Sequence, residues 1–194
     1  MSTVAATHPE IVERQRRITV GEYHRMIDAG ILGEDEHVQL IAGTLVAMTP
    51  QGSRRAVVIQ RLTAALVRAV GGDLAVRPQL PLTLLEDSEP EPDLAVVRAA
   101  DAPFDGPHPR SALLVVEVAG DSLRLDRESK ATLYARAGIP EYWIVNLAES
   151  AIEAHSEPDR AAGVYRSSAV VACGETLVAR SVPNLTIDVA SLFG

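Results

Sequence analysis

The chain has 194 residues, 47% of them hydrophobic, which suits one domain with a sizeable core. A net charge of −8 at pH 7 argues against strong nonspecific nucleic-acid binding, because that affinity comes from counterions released off the phosphates. It leaves room for a nuclease, whose clustered carboxylates lower the net charge while local basic groups meet the substrate. Aromatic residues are only 4%, so the core is expected to be Ala, Val, Leu and Ile. No apolar stretch is long enough to span a bilayer, and the first residues lack the basic-then-apolar layout of a signal peptide. A cytoplasmic location without a membrane partner is the expectation.

Residues 1–17, with Glu13, Arg14, Arg16 and Arg17 of mixed sign, are expected as an arm before a single domain over 18–194. Thr19 with Glu22 three residues later has the form of a capping box, and Gly30 fits the stop of that first helix. HVQLIAGTLVAM reads as two short strands around a turn at Ala42-Gly43. Pro50, Gly52 and Ser53 mark a loop, and Ser53 is placed to cap a helix over roughly 54–70. Val58, Leu62, Ala65, Leu66 and Ala69 form its apolar face, while Arg54, Arg61 and Arg68 recur on another face and read as a solvated stripe. After Gly71-Gly72, DLAVRPQLPLTL reads as one long or broken strand, residues 86–91 as an acidic turn, and residues 93–97 as the next strand. A Pro- and Gly-rich loop follows, expected to be exposed.

Residues 113–118 form a nearly continuous apolar run, as in a central strand covered on both faces. GDSLRLDRESKATLYARAG is a helix closed by Gly138, and EYWIVNL is another strand. Strand, helix and strand of these lengths make a crossover joining two parallel strands. The tail from Ala151, with AIEAH, GVYRSSAVV and LTIDV, is expected as a small antiparallel extension. Cys173, the sole cysteine, excludes an internal disulfide and reads as a small buried hydrophobe.

The chemistry concentrates in two segments. Glu91-Pro92-Asp93 opens the run LAVV, and LLVVEV carries Glu117 into the helix bearing Asp126 and Lys130. A carboxylate at the edge of an apolar run is usually paired or metal-bound. Phosphodiester hydrolysis needs a positioned water, a Lewis acid on the phosphate and charge stabilisation as the phosphorane forms. Mg²⁺ or Mn²⁺ held by Asp93, Glu117 and the backbone carbonyl of Val118 would supply the first two. Lys130 would supply a compact positive charge, and Asp126, four residues earlier on the same helix face, would orient it. Read singly, Asp93 after proline is a turn residue and Asp126 with Lys130 is an ordinary surface ion pair. The case rests on all four occurring on a strand, strand, helix layout.

The order EPDLAVV, LLVVEV, DRESK and LYARAGIPEYWIVNL resembles the Uma-two family of proposed restriction endonucleases, within the PD-(D/E)XK nuclease superfamily. The likeness extends from LIAGTLVAM to VPNLTIDVASLF. It implies an α/β domain, a restriction-endonuclease-like mixed sheet of about four strands flanked by helices. Asp93 matches the motif aspartate and Glu117 its second acid. The usual motif lysine would fall at Ala119; the family-like pattern takes it instead from the following helix, at Lys130, with Asp126 before it. Three positions depart: Gln39 stands where an acid is common, Arg55 where a histidine is common, and Gly120 where a serine is common. His37 and His24 are the histidines that would stand in for the one missing at Arg55.

The implied activity is metal-dependent hydrolysis of DNA, with a homodimer expected by analogy with nucleases that pair to reach both strands. The alternative is a non-catalytic nucleic-acid-binding or protein-interaction module that keeps the fold, which the acidic charge and the Gln39 and Arg55 departures favour. A small-molecule hydrolase using paired carboxylates is poorly supported, since one Trp, two Phe and four Tyr offer little for a stacking cleft.

Overall fold

A computed structural model describes residues 16–33, 35–48, 52–103 and 105–194. The arm expected over 1–17 lies almost wholly outside them, as does Pro50 of the expected loop. Where the chain enters, Ile18 N–H donates to Gly43 O at 3.0 Å. Helix α1 (Val20–Asp28) starts at the expected capping box: the Thr19 side chain accepts from Glu22 N–H, and the Glu22 carboxylate accepts from Thr19 N–H. Strands β1 (Val38–Ile41) and β2 (Thr44–Ala47) pair antiparallel around Ala42 (φ 46°) and Gly43 (φ 73°), the two left-handed residues that a tight hairpin turn demands.

Helix α2 (Ser53–Ala69) differs from expectation at its start. Gly52 is the N-cap and makes no side-chain bond, so Ser53 is the first helical residue rather than the cap. Its apolar face is as read, with Ile59 joining Val58, Leu62 and Leu66 in the core. The arginine stripe is more than a solvated surface: Arg54 donates to Leu147 O, just past β6, and Arg61 to Leu192 O near the chain's end.

Strands β3 (Leu74–Pro78), β4 (Leu94–Arg98), β5 (Leu114–Ala119), β6 (Glu141–Asn146), β7 (Ala151–Asp159) and β8 (Val164–Ala172) form one sheet in that order. Only β5 and β6 run parallel. The long tail strands β7 and β8 therefore continue the central sheet; the separate small antiparallel sheet is β9 (Thr176–Val178) with β10 (Thr186–Asp188). A short α4 (Ala190–Phe193) follows. Cys173, one residue past the end of edge strand β8, is exposed, against the buried position expected, because among the described residues no further strand pairs with that edge.

The crossover between β5 and β6 is a helix, α3, in three contiguous pieces: Leu123–Leu125, a π-turn over Asp126–Lys130, and Ala131–Ala137. Gly138 at φ 78° ends it in the left-handed conformation. Alternation along the strands splits the core in two. Leu94, Val96, Leu114, Val116 and Val118 pack with α2, while Ala95, Val97, Val115, Ala119 and Ile144 pack with Leu133 and Tyr134 of α3. Glu117 sits between Val115 and Ala119 in that alternation, and so faces α3.

Candidate active site

The pairing of β4 with β5 ends at Leu94 and Val116. One step further the strands part, and the Asp93 side chain takes over: its Oδ2 accepts from Val118 N–H at 2.7 Å. In an extended strand the carbonyl of a residue points the same way as its N–H, so Val118 presents both groups to the Asp93 side. Period two places Asp93 on the face of Ala95 and Val97, the face that Glu117 shares. Both carboxylates are almost wholly buried.

Each carboxylate meets a cation. Arg55, in the first turn of α2, brings Nη2 to 2.9 Å from Asp93 Oδ1 and 3.0 Å from Oδ2. Lys130 Nζ lies 2.8 Å from Glu117 Oε1 and 3.6 Å from Asp126 Oδ1. Tyr134, one turn beyond Lys130, donates its hydroxyl to the same Glu117 oxygen at 2.7 Å. Ser122 Oγ donates to Asp126 Oδ2 at 2.7 Å, while Asp126 Oδ1 is buried without a hydrogen bond among the described residues. Asp126 and Lys130 are buried, not the surface pair that helices usually carry.

Burial pushes the Asp93 carboxyl up and Glu117 adds to it, with Arg55 and the Val118 amide pulling back. Burial and then Glu117 raise Asp126 to about 6, against the pull of Lys130 and Ser122. For Lys130, burial works against the charge, but Glu117 and Asp126 outweigh it and the ammonium is held more firmly than usual. Tyr134 is driven far upward by burial and by Glu117, so it is a hydrogen-bond donor and not an acid in the neutral range.

The site opens into a cleft of about 520 Å³ whose walls include Gln39, Arg55, Glu91, Asp93, Ser122 and Lys130. The four expected side chains are thus brought to one place. His37 also lines the cleft, whereas His24 sits beside Glu89, 2.8 Å from its carboxylate. Glu89, in the acidic turn expected over 86–91, is buried. Sequence reading gave no role to Glu91, Tyr134 or Ser122, and took Arg55 only as a departure. Tyr134 was within reach of it: residues 126, 130 and 134 recur at intervals of four and share a helix face.

The oxygen-rich donor set and the orphaned Asp126 oxygen suit a hard divalent cation. Among the described residues no three His, Cys, Asp or Glu side chains gather in the manner of a metal cluster. A magnesium-type site does not require three: one or two carboxylates completed by water and substrate oxygens suffice.

A mixed sheet flanked by helices, with Asp93, Glu117 and Lys130 gathered where its central strands part, defines the domain as α/β. The chain belongs to the Uma2 family, whose model, described as "Putative restriction endonuclease", matches residues 20–190. Among solved structures it is similar to a "putative nuclease belonging to DUF820" from Anabaena variabilis ATCC 29413. The two are 16% identical, with a TM-score of 0.70, and the match covers 91% of this chain and 97% of the other. That likeness speaks for the fold. No curated protein matches the chain. Among the described residues no helix is long and apolar enough to cross a membrane.

Proposed function

We propose that this protein is a divalent-metal-dependent endonuclease that hydrolyses DNA phosphodiester bonds. The observation that carries the reading is the buried contact of Lys130 with Glu117 at 2.8 Å, one strand away from Asp93, with Lys130 and Asp93 lining the same cleft. Asp93 and Glu117, with the Val118 carbonyl, would hold Mg²⁺ or Mn²⁺. Bound there, the cation supplies Lewis acidity towards the phosphate and lowers the pKa of bound water.

The chain's own groups do the rest. Lys130 keeps its charge despite burial, because two carboxylates flank it, and so offers a fixed ammonium to the charge that develops on the phosphate. Asp126, steadied by Ser122, sets the direction of that ammonium. Tyr134 fixes Glu117 from behind through its hydroxyl. Burial of Glu117, Asp126 and Lys130 strengthens each of these interactions.

A second reading, a member that keeps the fold without catalysis, is favoured by one observation: Arg55 already engages both oxygens of Asp93. Cleavage of supercoiled DNA in Mg²⁺ separates the two. Nicked and linear products from the wild type, lost with Asp93→Asn and with Glu117→Gln, are expected; an inert wild type at high enzyme concentration favours the second reading. A homodimer would let two such sites reach opposite strands, and sedimentation of the full chain with and without duplex DNA checks it.

A further inference from the structure

We infer that Arg55 is a substrate-phosphate ligand parked on Asp93, so that metal and phosphate enter the site together; this rests on the nuclease reading above. The parked contact is a compromise. A single nitrogen, Nη2, serves both carboxylate oxygens, while Nε is buried with no acceptor among the described residues. A guanidinium binds an anion best through two parallel N–H donors on two oxygens, and this one leaves half of that fork unused. Asp93 Oδ2 accepts from the Val118 amide as well, so most of the carboxylate's acceptor sites are already taken.

A cation on Asp93 must share those oxygens with Arg55 or displace it. Displacement does not send the side chain far. Arg55 and Asp93 both line the cleft, but about a quarter of the Arg55 side chain meets solvent against 3% of Asp93. A phosphate diester entering the cleft offers two non-bridging oxygens at the spacing a guanidinium fork matches, and it would give Nε the partner it lacks. Metal on Asp93 releases Arg55 to the phosphate, and phosphate draws Arg55 off Asp93 and favours the metal. By linkage the two ligands then tighten each other by one common factor.

The test is calorimetric titration of the full chain with Mn²⁺ at mildly alkaline pH, alone and with a hydrolysis-resistant phosphorothioate DNA duplex. Arg55→Gln should bind Mn²⁺ alone about tenfold more tightly than wild type, the scale of removing one well-placed competitor from a carboxylate. Arg55→Lys, shorter and without the planar fork, should move the same way by less, and serves should the glutamine variant fold poorly. The DNA should tighten Mn²⁺ binding in wild type and no longer do so in Arg55→Gln. Equal or weaker Mn²⁺ binding in both variants, or coupling that survives Arg55→Gln, overturns the inference. If wild-type Mn²⁺ binding is lost in Asp93→Asn but unmoved by either Arg55 variant, the metal reading stands and the parking of Arg55 falls. If neither wild type nor Arg55→Gln binds Mn²⁺, both fall.

Discussion

Lys130 is the residue on which the chemistry turns. Its ammonium is enclosed, doubly paired and held in place by Glu117 and Asp126. Lys130→Ala should cost at least about a hundredfold in cleavage rate, the effect of removing one preorganised stabilising donor; plasmid cleavage under single-turnover conditions measures it. Asp126 gives a pH signature. Its carboxyl titrates at about 6 in the folded chain, above its ordinary value, so the folded state takes up a proton that the unfolded state does not. The cost of keeping it ionised is therefore present above about pH 6 and relieved as pH falls towards 4. Relative to Asp126→Asn, the wild type should gain about 1 kcal/mol of stability between pH 7.5 and 5, read from urea unfolding at both pH values. Asp93 and Glu117 stood out because a charge in or beside an apolar run needs a partner; Asp126 and Lys130 stood out only through their spacing on the following helix and the family likeness. Arg55 did not, because an arginine in a first helical turn looks like any exposed residue until the strand end beneath it is known.

At the scale of elements, the site depends on where strands stop and what holds their ends. Glu141, at the start of β6, is buried and reaches beyond its own strand. Its carboxylate accepts from Trp143 Nε1 at 2.8 Å, from the amides of Arg180 and Ser181 at 2.9 and 2.8 Å, and from Ser181 Oγ at 2.7 Å. Glu141→Ala strands those donors and should lower stability by about 3 kcal/mol in urea unfolding, with the rate per folded molecule unchanged. Gly138 terminates α3 at φ 78°, and an added Cβ would lie 3.1 Å from the Arg160 side chain. Gly138→Ala should cost about 1–2 kcal/mol. The capping box, the hairpin turn and this stop were all readable, since each is a local rule with a named residue. The π-turn over Asp126–Lys130 was not. It adds a residue to one turn of α3 without any composition signal, and it falls on the two side chains that must face Glu117.

Across the whole molecule, the parallel β5–α3–β6 unit followed from strand and helix lengths, and it is the frame that brings Lys130 over Glu117. The tail was harder to place. Strands β7 and β8 join the central sheet, but nothing in AIEAH or GVYRSSAVV says which edge they will extend, because antiparallel pairing is chosen by the neighbour rather than by the strand. Cys173 was misplaced for the same reason: a small apolar residue is buried only where something covers it. The central claim is that the ends of β4 and β5 share one cation. Anomalous diffraction from a crystal of the full chain soaked in Mn²⁺ tests it most directly. A single strong peak within ligand distance of Asp93 and Glu117 is expected in wild type and absent from Asp93→Asn; a well-soaked wild-type crystal with no peak between those two carboxylates would overturn the shared site.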